Sequence, residues 1–214
     1  IHEDNKYTLA GATKRTLEKY HAAIHQTPKH MVITEALQAD MRHAQQQQIK
    51  EEVDIYTDGA TIPGTVQKTA WGLTILERGK EIHEDSNRLA GLQSNDLGEA
   101  MALLQALRSI HPQTEANIYI DNAGVVQTTE KNTLDDPRKR HSQGGRAIWN
   151  RIQGLMHVRS KTNIHWVHSH VDDEKRQTWK EKCKLRCACG GQGENKCDPY
   201  HRHHKGNERA GVIA

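Results

Sequence analysis

The order of its predicted elements indicates that the chain contains a mixed α/β domain. Three strand-like runs come first, at residues 53–61, 71–76 and about 80–89. A helical pattern then begins near Asn95, and a second one covers 146–158. Strand-like runs at 116–123 and 163–170 flank the second helix. Three consecutive strands indicate an antiparallel meander, and the strand, helix and strand that follow add an α/β unit to it.

The first 52 residues carry two helical patterns and no recognisable chemistry. Apolar residues recur at about helical spacing near 17–24 and again near 33–41. The second pattern passes into the polar run Gln45–Gln48, which is typical of a solvated linker. We therefore expect a helical N-terminal extension at 1–52 and the main domain at 53–214. The extension is interpreted as a connector from an upstream domain, with a packing arm as the alternative.

The composition excludes some classes of protein. The chain has 214 residues, which fits one domain of moderate size with an extension, or two small domains. It has no apolar run of 18 residues and no signal-peptide pattern, so we expect an intracellular protein, cytoplasmic or nuclear, without a membrane span. A net charge of +3 is too small to indicate nucleic-acid binding by itself. The start at Ile1 and the end at Ala214 suggest a piece of a longer polypeptide.

Three acidic residues lie at the ends or beginnings of predicted elements. Asp58 ends the first strand, Glu99 lies in the first turn of the helix near Asn95, and Asp121 ends the fourth strand. Each has an ordinary explanation: an Asp-Gly turn, a complement to the helix dipole and a helix cap, respectively. Two strands that end on Asp, with an acidic helix start between them, fit those explanations less well. Converging carboxylates can instead hold two divalent cations about 3.5–4 Å apart for phosphodiester chemistry.

The charged loop at 135–141 leaves two interpretations open. It contains the basic run Arg138–Arg140 and precedes a helix that carries Trp149 and Arg151. A solvated loop is one interpretation, and a phosphate-tracking surface with one aromatic residue is the other.

The motifs of residues 53–214 resemble those of type-1 ribonuclease H domains. The segments that carry the resemblance are Tyr56–Gly59, Asn95–Leu104, Ile118–Asn122, Trp166–His170 and Gly206–Ala210. The resemblance implies a five-stranded mixed sheet flanked by helices. It also implies a hydrolase that cuts the RNA strand of an RNA–DNA hybrid endonucleolytically with two magnesium or manganese ions.

The resemblance further implies roles for individual residues. The residues that would hold the two ions are Asp58, Glu99 and Asp121. His170 would assist proton transfer or product release. The residues that would contact the hybrid near its minor groove, where the 2′-hydroxyls are displayed, are Gly59, Asn95 and Asn122.

One position departs from the family pattern. The final motif of the family continues with Asp after the residue that matches Ala210, but this chain has Gly211. That Asp would be a fourth carboxylate beside the ion that activates the attacking water, so its absence predicts impaired activity. Glu208, on a neighbouring helical face, would reach the site only in part. The alternative function is a catalytically inactive module that binds hybrids or other nucleic acid.

Two further hypotheses concern the origin of the chain and its place in the wider fold. The helical extension and the interpretation as a fragment favour a reverse-transcriptase polyprotein of a retrotransposon or virus, with an upstream reverse-transcriptase domain as partner. An integrase-like or exonuclease domain of the same fold is disfavoured by the Gly206–Ala210 motif and the strand that ends on His170.

A Cys/His-rich insert at 171–205 stands where the family has a short loop. Its spacing is Cys-x3-Cys-x-Cys-x7-Cys-x3-His-x-His-His, formed by Cys183, Cys187, Cys189, Cys197, His201, His203 and His204. Thiolate and imidazole ligands suit tetrahedral zinc, so the spacing predicts a small zinc-binding insert with a structural ion. Free thiols and disulfides are the alternatives, and the spacing does not decide which four residues bind.

Overall fold

The structure is a computed structural model that describes residues 34–62, 64, 68–91, 93–131, 143–167 and 202–214. The elements in chain order are α1 (Glu35–Gln45), β1 (Glu52–Ile62), β2 (Lys68–Glu77), β3 (Lys80–Arg88), α2 (Asn95–Arg108), β4 (Glu115–Ile120), α3 (Ala123–Lys131), α4 (Gln143–His157), β5 (Thr162–Trp166) and α5 (Arg202–Ile213). Among these described helices, none has the length and apolar character needed to cross a bilayer.

The described strands form one mixed sheet in the order β3-β2-β1-β4-β5. β1, β2 and β3 pair antiparallel as a meander, whereas β4 pairs parallel with both β1 and β5. The predicted five-stranded mixed sheet with flanking helices is therefore confirmed. The prediction that Asp58 ends the first strand is wrong, because β1 continues to Ile62 along β2. The parallel pairing of β1 with β4 does end there, at Thr57 and Ile120, so Asp58 and Asp121 both follow the last paired residues.

The main hydrophobic core lies between one face of the sheet and helices α1, α2 and α4. β1 contributes Val53 and Ile55, which alternate with residues of the other face, as expected for a strand covered on both sides. α2 contributes Leu103, Leu104 and Leu107, all fully buried. A smaller cluster on the opposite face of the sheet joins α5 to β1 and β4, through Tyr56, Tyr119, Val167 and Ala210.

Helix α1 packs as part of this core, although the sequence places it in the extension. The hydroxyl of Thr34 caps it by accepting a hydrogen bond from the N–H of Leu37 at 3.1 Å. Leu37, Met41 and Ala44 lie on one helix face and are buried in the main core. Helix α1 therefore packs against the main core, while the choice between a connector and a packing arm for residues 1–52 stays a prediction. The earlier helical pattern lies outside the described residues, and the domain boundary at residue 53 stays a prediction.

The predicted end of the fourth strand is wrong, and the helix that follows it was not predicted. The fourth strand ends at Ile120 rather than at residue 123, and helix α3 begins at Ala123. Asn122 explains the change, because its side-chain oxygen accepts hydrogen bonds from the N–H groups of Gly124 (2.9 Å) and Val125 (3.1 Å) and so caps the new helix. The apolar pattern of this nine-residue helix is too short to distinguish it from a strand continuation.

Candidate metal centre

Two of the predicted acids come from neighbouring parallel strands. Thr57 of β1 lies opposite Ile120 of β4, so the residues that follow them, Asp58 and Asp121, are adjacent at the edge of the sheet. Both side chains are half-buried. The indole N–H of Trp166 on β5 donates a hydrogen bond to the backbone carbonyl of Asp121 at 2.9 Å, which connects that turn to the edge strand. The sequence offered no signal for this bond.

Two glycines bring the third acid to the same edge. A Cβ on Gly59 would collide with the backbone nitrogen of Glu99 and lie 2.7 Å from the carbonyl carbon of Gly98. A Cβ on Gly98 would lie 2.7 Å from the methyl group of Thr69 and 2.9 Å from the carbonyl oxygen of Ala70. The first turn of α2 therefore crosses β1 at a distance that only glycine permits. This close approach places Glu99 beside Asp58.

Carboxylate oxygens of Asp58, Glu99 and Asp121 all lie within 4.8 Å of one another. Glu99 is only 2% exposed, and its Oε2 is buried without a hydrogen-bond partner. A buried acceptor that has no donor and faces two other carboxylates is unfavourable by itself. The three residues therefore fit a divalent cation, which would satisfy this oxygen and neutralise part of the charge.

The electrostatics of Glu99 agree with this fit. Burial above all, then the charges of Asp121 and Asp58, raise the pKa of Glu99 to about 10, and a hydrogen bond from the backbone of Gly59 opposes the increase. Without a cation, Glu99 therefore keeps its proton at neutral pH. A donor set made only of carboxylate oxygens suits hard ions such as Mg²⁺ or Mn²⁺.

Helix α5 approaches the cluster from the opposite face of the sheet. The side-chain amide of Asn207 donates a hydrogen bond to Oδ2 of Asp121 at 3.1 Å. One turn later, a Cβ built on Gly211 would lie 2.5 Å from Oδ2 of Asp58. Position 211 therefore faces the cluster, whereas Glu208 is exposed. From the sequence, Asn207 is named only as part of the final motif. Its spacing of four residues from position 211 was the available signal, because residues four apart lie on the same face of a helix.

The three predicted substrate contacts lie around the same edge. Gly59 is buried under α2, Asn95 is the exposed first residue of α2, and Asn122 is half-buried at the start of α3. The amide of Asn122 also donates a hydrogen bond to Asp96 at 3.2 Å, which joins the starts of α2 and α3. Their contact with an RNA–DNA hybrid stays a prediction.

A sequence model of the RNase H family matches residues 50–178, more than half of the chain. The chain belongs to the RNase H family. Two relatives are named Ribonuclease H. The chain is 26% identical to the one from Prosthecochloris aestuarii over 137 residues, which cover 59% of this chain and 88% of the relative. It is 25% identical to the one from Oleidesulfovibrio alaskensis over 127 residues, which cover 56% and 80%. The enzyme class is therefore ribonuclease H, a hydrolase.

Two solved structures share the fold at low sequence identity. The solution structure of the PFV RNase H domain matches with a TM-score of 0.52 and 15% identity, over 77% of this chain and 93% of that one. The crystal structure of prototype foamy virus protease-reverse transcriptase matches with a TM-score of 0.51 and 14% identity, over 79% of this chain and 22% of that one.

The remaining predicted site residues fall outside the part of the chain that can be described. His170 is one of them, although the RNase H family match extends past it to residue 178. The predicted zinc ligands Cys183, Cys187, Cys189, Cys197 and His201 are the others. His203 lies within helix α5, but its side chain is outside the description as well. The zinc site stays a prediction.

Proposed function

We propose that this RNase H domain cuts the RNA strand of RNA–DNA hybrids, with divalent cations held by Asp58, Glu99 and Asp121. The observation that supports it best is the convergence of these three carboxylates within 4.8 Å at the edge of an RNase H sheet. Burial of Glu99 strengthens the argument, because its carboxyl group can ionise among like charges only beside a positive partner such as a bound cation.

The role proposed for each residue follows from its position in the site. Bound Mg²⁺ or Mn²⁺ ions would activate a water molecule and stabilise the leaving oxygen of the phosphodiester. The three acids hold the charge that attracts the ions, in a site where low exposure strengthens electrostatic interactions. Asn95 and Asn122, on the neighbouring helix starts, would contact the hybrid together with Gly59. His170 would assist proton transfer or product release.

A second candidate function is a module that binds hybrids without cutting them. The observation that favours it is that position 211, from which a Cβ would point at Asp58, carries no side chain. A site with three carboxylates would hold a second cation more weakly than one with four. This candidate shares the fold and the substrate of the first and differs only in catalysis.

A cleavage assay on a labelled RNA–DNA hybrid distinguishes the two candidates. We expect the wild type to cut the RNA strand in Mg²⁺ or Mn²⁺ and Asp58→Asn to lose this activity. Binding without cleavage in both metals, followed by cleavage in Gly211→Asp, would identify a site that is short of one ligand. Equal cutting by Asp58→Asn would contradict the proposed site, and cutting of plain duplex DNA would contradict the proposed substrate.

We infer that the chain derives from a reverse-transcriptase polyprotein and has such a domain upstream. The fold that it shares with prototype foamy virus protease-reverse transcriptase supports this origin. We also propose a structural zinc ion in the insert at 171–205, supported by the cysteine and histidine spacing. Elemental analysis of the purified protein, with Cys183→Ser and Cys187→Ser as comparisons, tests the zinc. A metal content that these changes leave unaltered would contradict it.

A further inference from the structure

Asp121 is the one acid of the cluster that lies outside a regular element. Asp58 lies within β1, where it is paired with β2, and Glu99 lies within α2. Asp121 instead belongs to the two-residue connection that follows the end of β4 at Ile120 and precedes α3. Neither a strand ladder nor a helix therefore fixes this acid, and its position depends on hydrogen bonds from neighbouring parts of the chain.

Three successive backbone carbonyls hold this connection in place. The carbonyl of Ile120 accepts a hydrogen bond from the N–H of Val167 at 2.9 Å, just past the last paired residues of β4 and β5. The carbonyl of Asp121 accepts from the indole N–H of Trp166, also at 2.9 Å. The carbonyl of Asn122 accepts from N–H groups in the first turn of α3. Among these donors the indole is the side chain, and it holds the peptide group next to the acid.

We propose that Trp166 is a positioning residue for the cation site, because its indole N–H fixes the peptide group to which the side chain of Asp121 is attached. The inference rests on the proposed function, in which Asp121 binds divalent cations. The carbonyl of Asp121 and its Cα belong to one planar peptide unit, so a hydrogen bond to the carbonyl limits rotation of the unit and movement of the side chain. β5 thereby contributes to the geometry of the acid cluster without providing an acid.

Packing is the ordinary explanation for a tryptophan at this position. Trp166 is half-buried and packs against the main core. Packing needs only the ring, whereas positioning needs the N–H, which is the one polar group of the side chain and can only donate. Loss of the donor alone would leave the ring in place and release the peptide group of Asp121. Loss of the groups that orient metal ligands typically lowers metal affinity by about 10- to 100-fold.

Two changes at position 166 separate the donor from the ring. Trp166→Phe removes the N–H together with part of the ring, whereas benzothienylalanine, introduced by nonsense suppression, keeps the bicyclic shape and has sulfur in place of the N–H. Mn²⁺ binding to the metal-free full chain is measured by electron paramagnetic resonance, and melting temperatures are measured in EDTA. We expect Mn²⁺ affinity to fall by about 10-fold in both proteins, the lower end of the range because the bond acts through the backbone. Trp149→Phe, in the main core on α4, is the matched control and should bind Mn²⁺ as the wild type does.

Nuclear magnetic resonance of the isotope-labelled full chain provides a second readout that packing alone would not change. The indole N–H signal of Trp166 is identified as the one missing from the spectrum of Trp166→Phe. Mg²⁺ should shift this signal over the concentration range in which the ion binds, because the bond joins the indole to a residue that binds the cation. The indole signal of Trp149 should stay unchanged. A Trp166 signal that saturating Mg²⁺ leaves in place would contradict the inference.

The remaining outcomes distinguish failure of the inference from failure of the proposed function. A wild type that binds no Mn²⁺ would overturn both the cation site and the inference. Wild-type binding that Asp121→Asn abolishes, with both changes at position 166 equal to the wild type, would overturn the inference alone. An equal loss of affinity in Trp149→Phe, or unfolding of the benzothienylalanine protein in EDTA, would overturn it too, because either result would assign Trp166 to the stability of the fold.

Discussion

The carboxylate of Asp40 on α1 accepts two hydrogen bonds from the guanidinium of Arg151 on α4, at 2.6 and 2.9 Å. Nε of Arg108 on α2 lies 3.0 Å from the same carboxylate. Asp40 is only 2% exposed, so its charge depends on these two arginines. One buried carboxylate thus connects three helices of the main core.

Replacing Asp40 with alanine should lower the free energy of unfolding by about 1–3 kcal/mol, because it leaves Arg151 without this acceptor and Arg108 with Gln105 alone. The loss is smaller than for a fully buried pair, since both arginines are about a quarter exposed. Urea unfolding followed by circular dichroism measures the effect. Glu51→Ala is the matched control, since Glu51 pairs with Arg78 at 3.3 Å where both side chains are more than four-fifths exposed. It should change stability little. Equal effects of the two changes would contradict the importance of the buried pair.

Gly59→Ala should damage both the fold and the cation site. The added methyl group meets the backbone of Glu99 and Gly98, which cannot rotate away as a side chain can. We expect a loss of about 1–3 kcal/mol or more in unfolding free energy, together with weaker stabilisation by Mn²⁺. Melting temperatures with EDTA and with Mn²⁺ check both effects. A variant with wild-type values in both conditions would show that α2 does not need this close approach.

Glu99→Gln should stabilise the metal-free protein at neutral and alkaline pH. The unfolded carboxyl ionises near pH 4.5, whereas the pKa in the folded protein is raised, so between these values only the folded state keeps the proton. The stability of the metal-free wild type should therefore fall as pH rises above about 4.5, and the variant should lack this part of the decrease. Melting temperatures in EDTA from pH 5 to 9 measure it.

Manganese provides the complementary observation for Glu99. A cation that binds only the folded protein raises the melting temperature by mass action. Mn²⁺ should therefore stabilise the wild type and have little effect on Glu99→Gln. An equal increase in melting temperature with Mn²⁺ in both proteins would show that Glu99 does not take part in binding the cation.

His111 should make the protein less stable in mild acid. Burial, and then the positive charge of Arg159, lower the pKa of His111 below its ordinary value of 6.5. As pH falls through 6.5, His111 binds a proton in the unfolded state before it does in the folded state, so its contribution to the free energy of unfolding decreases. His111→Asn should reduce this decrease, because asparagine does not titrate. Its amide oxygen can replace Nδ1 as the acceptor for the N–H of Gln113, so the local structure should be kept.

Urea unfolding at pH 7.5 and 5.5 compares the wild type with His111→Asn. Burial also lowers the pKa of His165, and the raised pKa of Glu99 acts in the opposite direction over the same range. The net change in the wild type therefore combines several groups, and the difference between the two proteins isolates His111. The exposed His83→Asn serves as a control for the loss of an imidazole. The same change in unfolding free energy between the two pH values in His111→Asn and in the wild type would contradict the prediction.

Local patterns predicted the elements that carry the acids. The β-branched run before Asp58 predicted β1, although β1 continues past Asp58 to Ile62 and only its pairing with β4 ends at Thr57. α2 begins at Asn95 because the hydroxyl of Ser94 caps it, accepting from the N–H of Leu97 at 3.3 Å. Prediction was less successful where a short helix follows a strand directly, as at Asn122, because nine residues carry too little periodicity to decide.

The sequence by itself determined which acids could meet, because short-range patterns of apolar, β-branched and capping residues predict the strands and the helix that carry them. Only the tertiary structure decided that they do meet, because β4 crosses over to lie beside β1 and Gly59 admits the first turn of α2. It also decided that α1 belongs to the core and that Asn207 and Gly211 face the cluster. These relationships join residues that are distant along the chain, and such contacts depend on the packing of the whole domain.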